Sequence, residues 1–164
     1  MATKYDISND RLLGDELFVY INMGTGESGE TADWQPLAYS TTCSLNLNSD
    51  TIDASNKMAG VWTAALPGKL SWTISTEALM STSKTGYSYF YDKLVKREPF
   101  KIRFGQATNI TPSGSTEPDF NINESKTYYE GEAYCSSCNL NADNGAVCTM
   151  SVEFTGNGAL TKTE

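Results

Sequence analysis

No histidine occurs anywhere in the 164 residues. Its absence removes the commonest general base, the Ser–His and Cys–His dyads, and the commonest metal ligand. Positive charge is scarce as well: twelve Lys and Arg stand against twenty Asp and Glu, for a formal net charge of −8. Sequence-independent grip on nucleic acid depends on cations that neutralise phosphates, so the chain is a poor candidate for tight DNA binding, although an acidic chain can face DNA without holding it. Long apolar runs are missing too, none approaching the roughly 20 residues of a membrane helix. The opening MATKYDISND carries no apolar signal core. The expectation is a chain made and folded in the cytoplasm, with no membrane partner.

What remains is rich in strand and turn formers. Nine Tyr, three Trp, thirteen Gly and many Ser and Thr point to a mainly β domain, and the length suits one domain spanning 1–164. ELFVYIN (16–22) reads as a short strand, followed by an exposed loop, MGTGESGETAD (23–33). WQPLAYSTTCSLNLNSDTIDAS (34–55) holds one or two strands, with Leu37 and Tyr39 alternating first and Cys43, Leu45 and Leu47 later. KLSWTIS (69–75) places Leu70, Trp72 and Ile74 on one face of another strand. The spacing of Tyr87, Phe90, Tyr91 and Leu94 predicts the one helix, closed by Pro99, with Asp92 early and Lys93, Lys96 and Arg97 late. Its aromatic stripe reads as core packing. PFKIRFG (99–105) is again a strand. QATNITPSGSTEPDFNINES (106–125) is too rich in Pro, Gly, Ser and Asn for a regular element. Two final strands are joined by a turn at NADNG (141–145), and the chain ends in a polar tail.

Chemistry-bearing constellations are weak. Cys135 and Cys138 form C-x-x-C, and Cys43 and Cys148 complete four thiols, enough for a zinc site on paper. In an extended strand, however, residues three apart point to opposite faces, so the pair converges only if the strand is broken there. If Leu140 pairs with Ala146 across the turn, Cys138 lies opposite Cys148, a register that a one-residue slip removes. Plain buried or half-buried thiols are the favoured reading, with zinc and a disulfide as alternatives. The carboxylates at Asp50, Asp53, Glu77, Glu117, Asp119 and Glu124 are scattered, whereas glycosidase chemistry needs a fixed pair. DASNKMAG lacks the ligand alternation of a calcium loop, and GTG and GNG lack the strand–loop–helix setting of a nucleotide site. No catalytic residue, metal or cofactor is expected. The loop at 55–68 is different: Met58, Val61, Trp62 and Leu66 are apolar groups its own turns cannot bury, and such groups mark association surfaces.

LNLNSDTIDASNKMAGVWTAALPGKLSWTIS (45–75), the helix ending YDKLVKREPFKIRFG (91–105), and EGEAYCSSCNLNADNGAVCTMSVEFTGNGAL (130–160) together resemble the major tail tube proteins of tailed bacteriophages. The resemblance covers residues 16–160, leaving terminal arms at 1–15 and 161–164; the cysteine cluster and the polar insert at 107–125 depart from it. It implies a β-sandwich or barrel-like tail tube fold with one flanking helix and long loops. It further implies a structural virion protein, not an enzyme, that polymerises with itself as hexameric rings stacked into a hollow tube through which DNA passes at ejection. Tape measure protein in the lumen, and tail terminator and baseplate or distal tail proteins at the ends, are the implied partners. The virion tail, assembled in the host cytoplasm, is the implied location. By position, Met58, Val61, Trp62 and Leu66 become inter-subunit or inter-ring anchors. A DNA-conducting lumen should repel phosphates, which makes Glu130, Glu132 and Glu153 candidate lumen-facing acids. The runner-up is a β-sandwich module binding carbohydrate or another ligand, with Trp34, Trp62 and tyrosines as a platform.

Overall fold

The structure is a computed structural model that describes residues 12, 14–24, 32–37, 39–58, 60–82, 84–110 and 117–164. Most of the expected N-terminal arm, residues 25–31 of the first loop and residues 111–116 of the polar insert lie outside the described residues.

A short 3-10 turn, Gly14–Glu16, leads into β1 (Leu17–Asn22), β2 (Trp34–Pro36), β3 (Ser40–Asp53) and β4 (Ala65–Leu79). Then follow α1 (Tyr87–Lys96), β5 (Phe100–Asn109), β6 (Asp119–Ile122), β7 (Tyr128–Asn141) and β8 (Thr149–Thr163). The strands form one antiparallel sheet in the order β2-β1-β5-β7-β8-β4-β3, with β6 added on β5, and the sheet is not closed. This is the expected mainly β domain with one helix. Its two ends nevertheless approach each other: β1 touches β3 without forming a ladder, and Cys43 of β3 packs against the core that holds Val19 of β1.

One core gathers from both ends of the sheet. Val19 and Ile21 of β1, Trp72 and Ile74 of β4, Ile102 of β5, Ala133 of β7 and Phe154 of β8 all belong to it, and Phe90 of α1 is sealed against them. Phe90 and Phe154 lie 5.5 Å apart, and Phe100 meets Phe154 edge-on at 5.6 Å. Burying aromatics of this size accounts for much of the driving force, since each removes about 150–250 Å² from water. Within the expected helical stripe, Phe90 is fully buried and Tyr87 and Leu94 pack partly, but Tyr91 stays half exposed and Tyr89 packs in its place. Asp92 falls beyond the first turn, while Lys93 and Lys96 do occupy the last. Arg97 ends the helix in a left-handed conformation, φ 55°, with the N–H groups of Arg97 and Glu98 bonded back to Leu94 and Lys93, a helix-ending pattern usually built on glycine.

Four sequence expectations need correction. First, the connection at 106–125 contains structure: β5 runs to Asn109, and β6 returns to pair Ile122 with Ala107 and Asp119 with Asn109. Its polar composition hid Phe120, which packs on Phe18 at 5.9 Å, and Ile122, which fills the space over Gly105. Second, the turn between β7 and β8 spans 142–148, so Leu140 pairs with Met150 and Cys138 with Val152, not with Cys148. Third, residues 161–163 are not a terminal arm, because β8 continues to Thr163 through an irregularity around Gly158, φ +84°. Fourth, β4 already begins at Ala65, so Leu66 belongs to a strand and the loop is confined to 54–64.

Candidate functional site

β3 and β4 form a hairpin much longer than the sheet that holds it. β4 pairs with β8 only from Thr73 to Leu79, whereas β3 follows β4 down to Asp53 opposite Ala65. Residues 47–72 therefore lie beyond the β8 ladder as a two-stranded arm. Trp72 fixes its root. The indole lies flat across β7 and β8 where both carry glycine, and its Nε1–H donates to the Gly158 carbonyl at 3.0 Å. A Cβ on Gly131 would stand 2.5 Å from Trp72 Cζ2, and one on Gly156 only 2.1 Å from Trp72 Cε2. Only glycine lets the ring lie there.

The loop at the arm's tip has a well-satisfied backbone. Ala54 N–H bonds the Ala64 carbonyl at 2.8 Å, Asp53 accepts from Ser55 N–H, Asn56 from Met58 N–H, and Ser55 Oγ from Ala64 N–H. On this frame Met58, Val61 and Trp62 stand almost fully in solvent, Trp62 at 82% exposure. Leu66 is 57% exposed on β4, and three further apolar residues of the arm that sequence reasoning did not select are also open: Leu47, Ile52 and Leu70. Leu70, expected to share a buried face with Trp72 and Ile74, is 72% exposed because the arm has already left the sheet. Alternation gave its face correctly but not where the core ends.

The four-strand run β7-β8-β4-β3 has two unlike faces. Val152, Phe154, Ile74 and Cys138 point to the core; Glu153, Ser151, Ser75, Glu77, Ser137 and Thr42 point away, into a shallow polar groove. No Lys or Arg occurs in 40–53, 73–79, 134–141 or 149–155. Of the candidate acids, Glu153 lies on this face, across from Ser75 and Ser137. Glu132 sits opposite Lys101 and accepts from the Asn157 amide at 2.8 Å. Glu130 is held by Arg103 at 2.7 Å, and Arg103 also reaches Glu124 at 3.0 Å while its guanidinium lies over the Trp34 and Tyr128 rings. Glu77, unselected from sequence, joins Glu153 on the cation-free face, the signal being its odd-numbered alternation with Ser75.

Among the described residues β3 has a partner on one side only, and beyond Ala133 β7 pairs only with β8, with α1 lying alongside. The run thus ends in unpaired strand edge on β3 and, along 134–141, on β7.

The cysteines are free thiols. A register shift between Cys135 and Ser137 supplies the broken strand that convergence requires, so Cys135 and Cys138 both turn to the core. Burial, with a smaller contribution from Cys138, pushes the Cys135 thiol up to about 12, and burial pushes Cys138 up to about 11, which leaves them protonated and inert. Among the described residues no three His, Cys, Asp or Glu side chains gather as a metal site, and no described helix is long and apolar enough to cross a membrane. Trp34 on β2 lies under the Arg103 guanidinium, whereas Trp62 at the arm's tip stands almost fully in solvent.

A family model for phage tail tube proteins matches residues 12–162. No curated protein matches the chain. Among solved structures, a chain from the tail of an empty gene transfer agent particle, refined with C6 symmetry, superposes with TM-score 0.70 at 18% identity over 94% of this chain and 100% of its own. A chain of the SPP1 tail tube gives 0.67 at 10% identity over 93% and 79%. One from the sheath–tube complex of an extracellular contractile injection system gives 0.61 at 12% over 98% and 99%.

Proposed function

Since the chain belongs to the phage tail tube protein family, we propose that it builds the tube as stacked hexameric rings, through side-by-side contact of the β7-β8-β4-β3 runs and docking of the β3–β4 arms. It is a structural protein of the virion tail, not an enzyme. One observation carries the reading of the tube wall: a four-strand run, apolar and covered on one face, polar and free of cations on the other, with unpaired strand edge on both flanks.

Strand directions allow the run to repeat. β3 and β7 point opposite ways, because three antiparallel pairings separate them, so β3 of one copy meets β7 of the next in an antiparallel pair. Such head-to-tail contacts close into a ring when the rotation permits. Six copies of four strands give a barrel of about 24 strands; at about 4.8 Å per strand and a tilt of about 40°, its backbone circle is about 48 Å across. That admits a nucleic-acid duplex with its side-chain lining. The polar face then lines the lumen, where Glu153, Glu132 and Glu77 repel phosphates and hydroxyls offer no persistent grip, while Glu130 is largely neutralised by Arg103. Met58, Val61, Trp62 and Leu66 anchor the arm in neighbouring copies. Tape measure protein fills the lumen before ejection, tail terminator and baseplate or distal tail proteins bound the stack, and assembly takes place in the host cytoplasm.

Negative-stain electron microscopy of the concentrated protein beside Trp62→Ala tests the assembly. Rings or hollow tubes from the parent, lost or shortened in the variant, are expected. Parent tubes matched in length by the variant would remove Trp62 from the interface.

A further inference from the structure

On a regular strand Leu66 would share a face with Leu70, Trp72 and Ile74, because every second residue from 66 to 74 lies on the same side. The ladder contradicts this. Ile74, Trp72 and Leu70 stand opposite Leu45, Leu47 and Ser49, but further out Thr51 stands opposite Pro67 and Ile52 opposite Leu66. Between these pairs β4 uses two residues, Gly68 and Lys69, where β3 uses one, Asp50. That is the count of a β-bulge, and Gly68 fits it tightly: a Cβ there would stand 3.0 Å from the Asp50 carbonyl oxygen.

The bulge reverses the phase of one strand and not the other. β3 keeps its alternation, so Leu47 and Ile52, one odd and one even, point to opposite faces. Directly opposed residues share a face, which places Leu66 with Ile52 and Leu70 with Leu47. The arm therefore carries an exposed aliphatic group from each strand on each side, with all four side chains at least 56% exposed.

An arm lying on one partner buries one face and leaves the other to water, where apolar groups gain nothing. We infer that the arm is inserted between two other copies of this chain, with Leu47 and Leu70 seated on one and Ile52 and Leu66 on the other. The inference rests on the tube-building reading above and adds that each arm joins three copies, not two. The size of the faces favours further copies over a separate soluble partner. Two aliphatic side chains bury no more than about 300 Å² even when counted at the low end of the aromatic range, well short of the roughly 800 Å² per partner of a stable complex. Contacts this small hold only when repeated around a ring and along a stack.

Benzoylphenylalanine in place of Leu66 or of Leu70, irradiated in assembled tubes and mapped by mass spectrometry, tests the inference. Inter-chain crosslinks from the two positions to two non-overlapping peptide sets of the same chain are expected. Overlapping sets, or intrachain links alone, from tubes that do form would overturn the two-sided arm and leave the tube reading standing. If neither the parent nor the substituted chains form tubes or rings, both fail. Inserting one residue after Asp50 restores one-for-one register and turns both Ile52 and Leu66 to the side of Leu47 and Leu70. Shortened or absent tubes with an unchanged monomer melting temperature are expected, and tubes of parental length would overturn the inference.

Discussion

Gly156→Ala probes the root of the arm, and its cost follows from the geometry. The new Cβ would stand only 2.1 Å from Cε2 of the Trp72 indole, which is 3% exposed, so the ring has to leave its site. Losing burial of about 150–250 Å² at about 25 cal/mol per Å² removes about 4–6 kcal/mol as an upper estimate. Breaking the bond from Nε1 to Gly158 removes about 1 kcal/mol more. Partial repacking brings the expected loss to about 3–5 kcal/mol, a large share of the roughly 5–15 kcal/mol that holds a domain of this kind together. The assay is urea unfolding of monomeric protein followed by far-ultraviolet circular dichroism, for the parent, Gly156→Ala, Trp72→Ala and the double variant. With the indole gone the alanine meets nothing large, so the cycle should return a coupling of about 2–4 kcal/mol. Gly145→Ala is the control: φ there is +82° and no atom lies within 4 Å, so its cost is limited to about 1–2 kcal/mol of left-handed backbone. Additive losses at Gly156 and Trp72, within about 0.5 kcal/mol, would refute the stacking argument.

The thiols and the lumen give two further tests. Cys135 is raised by burial from the ordinary 9.0 to about 12 and Cys138 to about 11, so the unfolded chain loses these protons first. Their contribution is therefore complete below about pH 9 and declines as pH rises from there towards 12, with the sign fixed by the extra protons held in the folded state. Stability measured across that interval should fall in the parent and fall less in a Cys135→Ala, Cys138→Ala variant; matching slopes would exclude the thiols as the cause. In the lumen, Glu77→Lys with Glu153→Lys puts twelve cations into each six-fold ring without touching the core. Tubes of normal shape are expected, with genome release from assembled particles slowed several-fold at low salt and the delay shrinking above about 0.1 M salt. Release unchanged at low salt would show that these positions do not face the DNA.

Periodicity carried most of the fold. Strand positions, the helix and its Phe90 anchor follow from alternation and from the i, i+3, i+4 spacing, since those periods decide which side chains reach the core. Local departures from period were hidden: the shift after Cys135 that turns two thiols inward, the bulge at Gly68 and Lys69 that divides the arm's apolar face, and the irregularity at Gly158 through which β8 continues. Each depends on one extra residue set against a strand distant in sequence, and nothing local marks it. β6 was obscured for another reason, since Phe120 and Ile122 are isolated in a polar stretch and make sense only against Phe18 and Gly105. The arm's tip was legible because Trp62 in a loop demands a partner, whereas Leu70 was mistaken for core because the sequence does not say how far β8 extends beside β4.

The unpaired edges flanking β7-β8-β4-β3 bear on how assembly starts. Joining a second copy satisfies one seam and still leaves two raw ends, as does every addition up to the fifth. The sixth closes two seams at once at the entropic expense of placing one molecule. Partial rings are then scarce relative to free chains and closed rings, growth has a lag that a preformed ring abolishes, and a threshold concentration separates dispersed protein from polymer. A single preformed ring thus decides where the tube begins, while the subunit pool stays unassembled elsewhere.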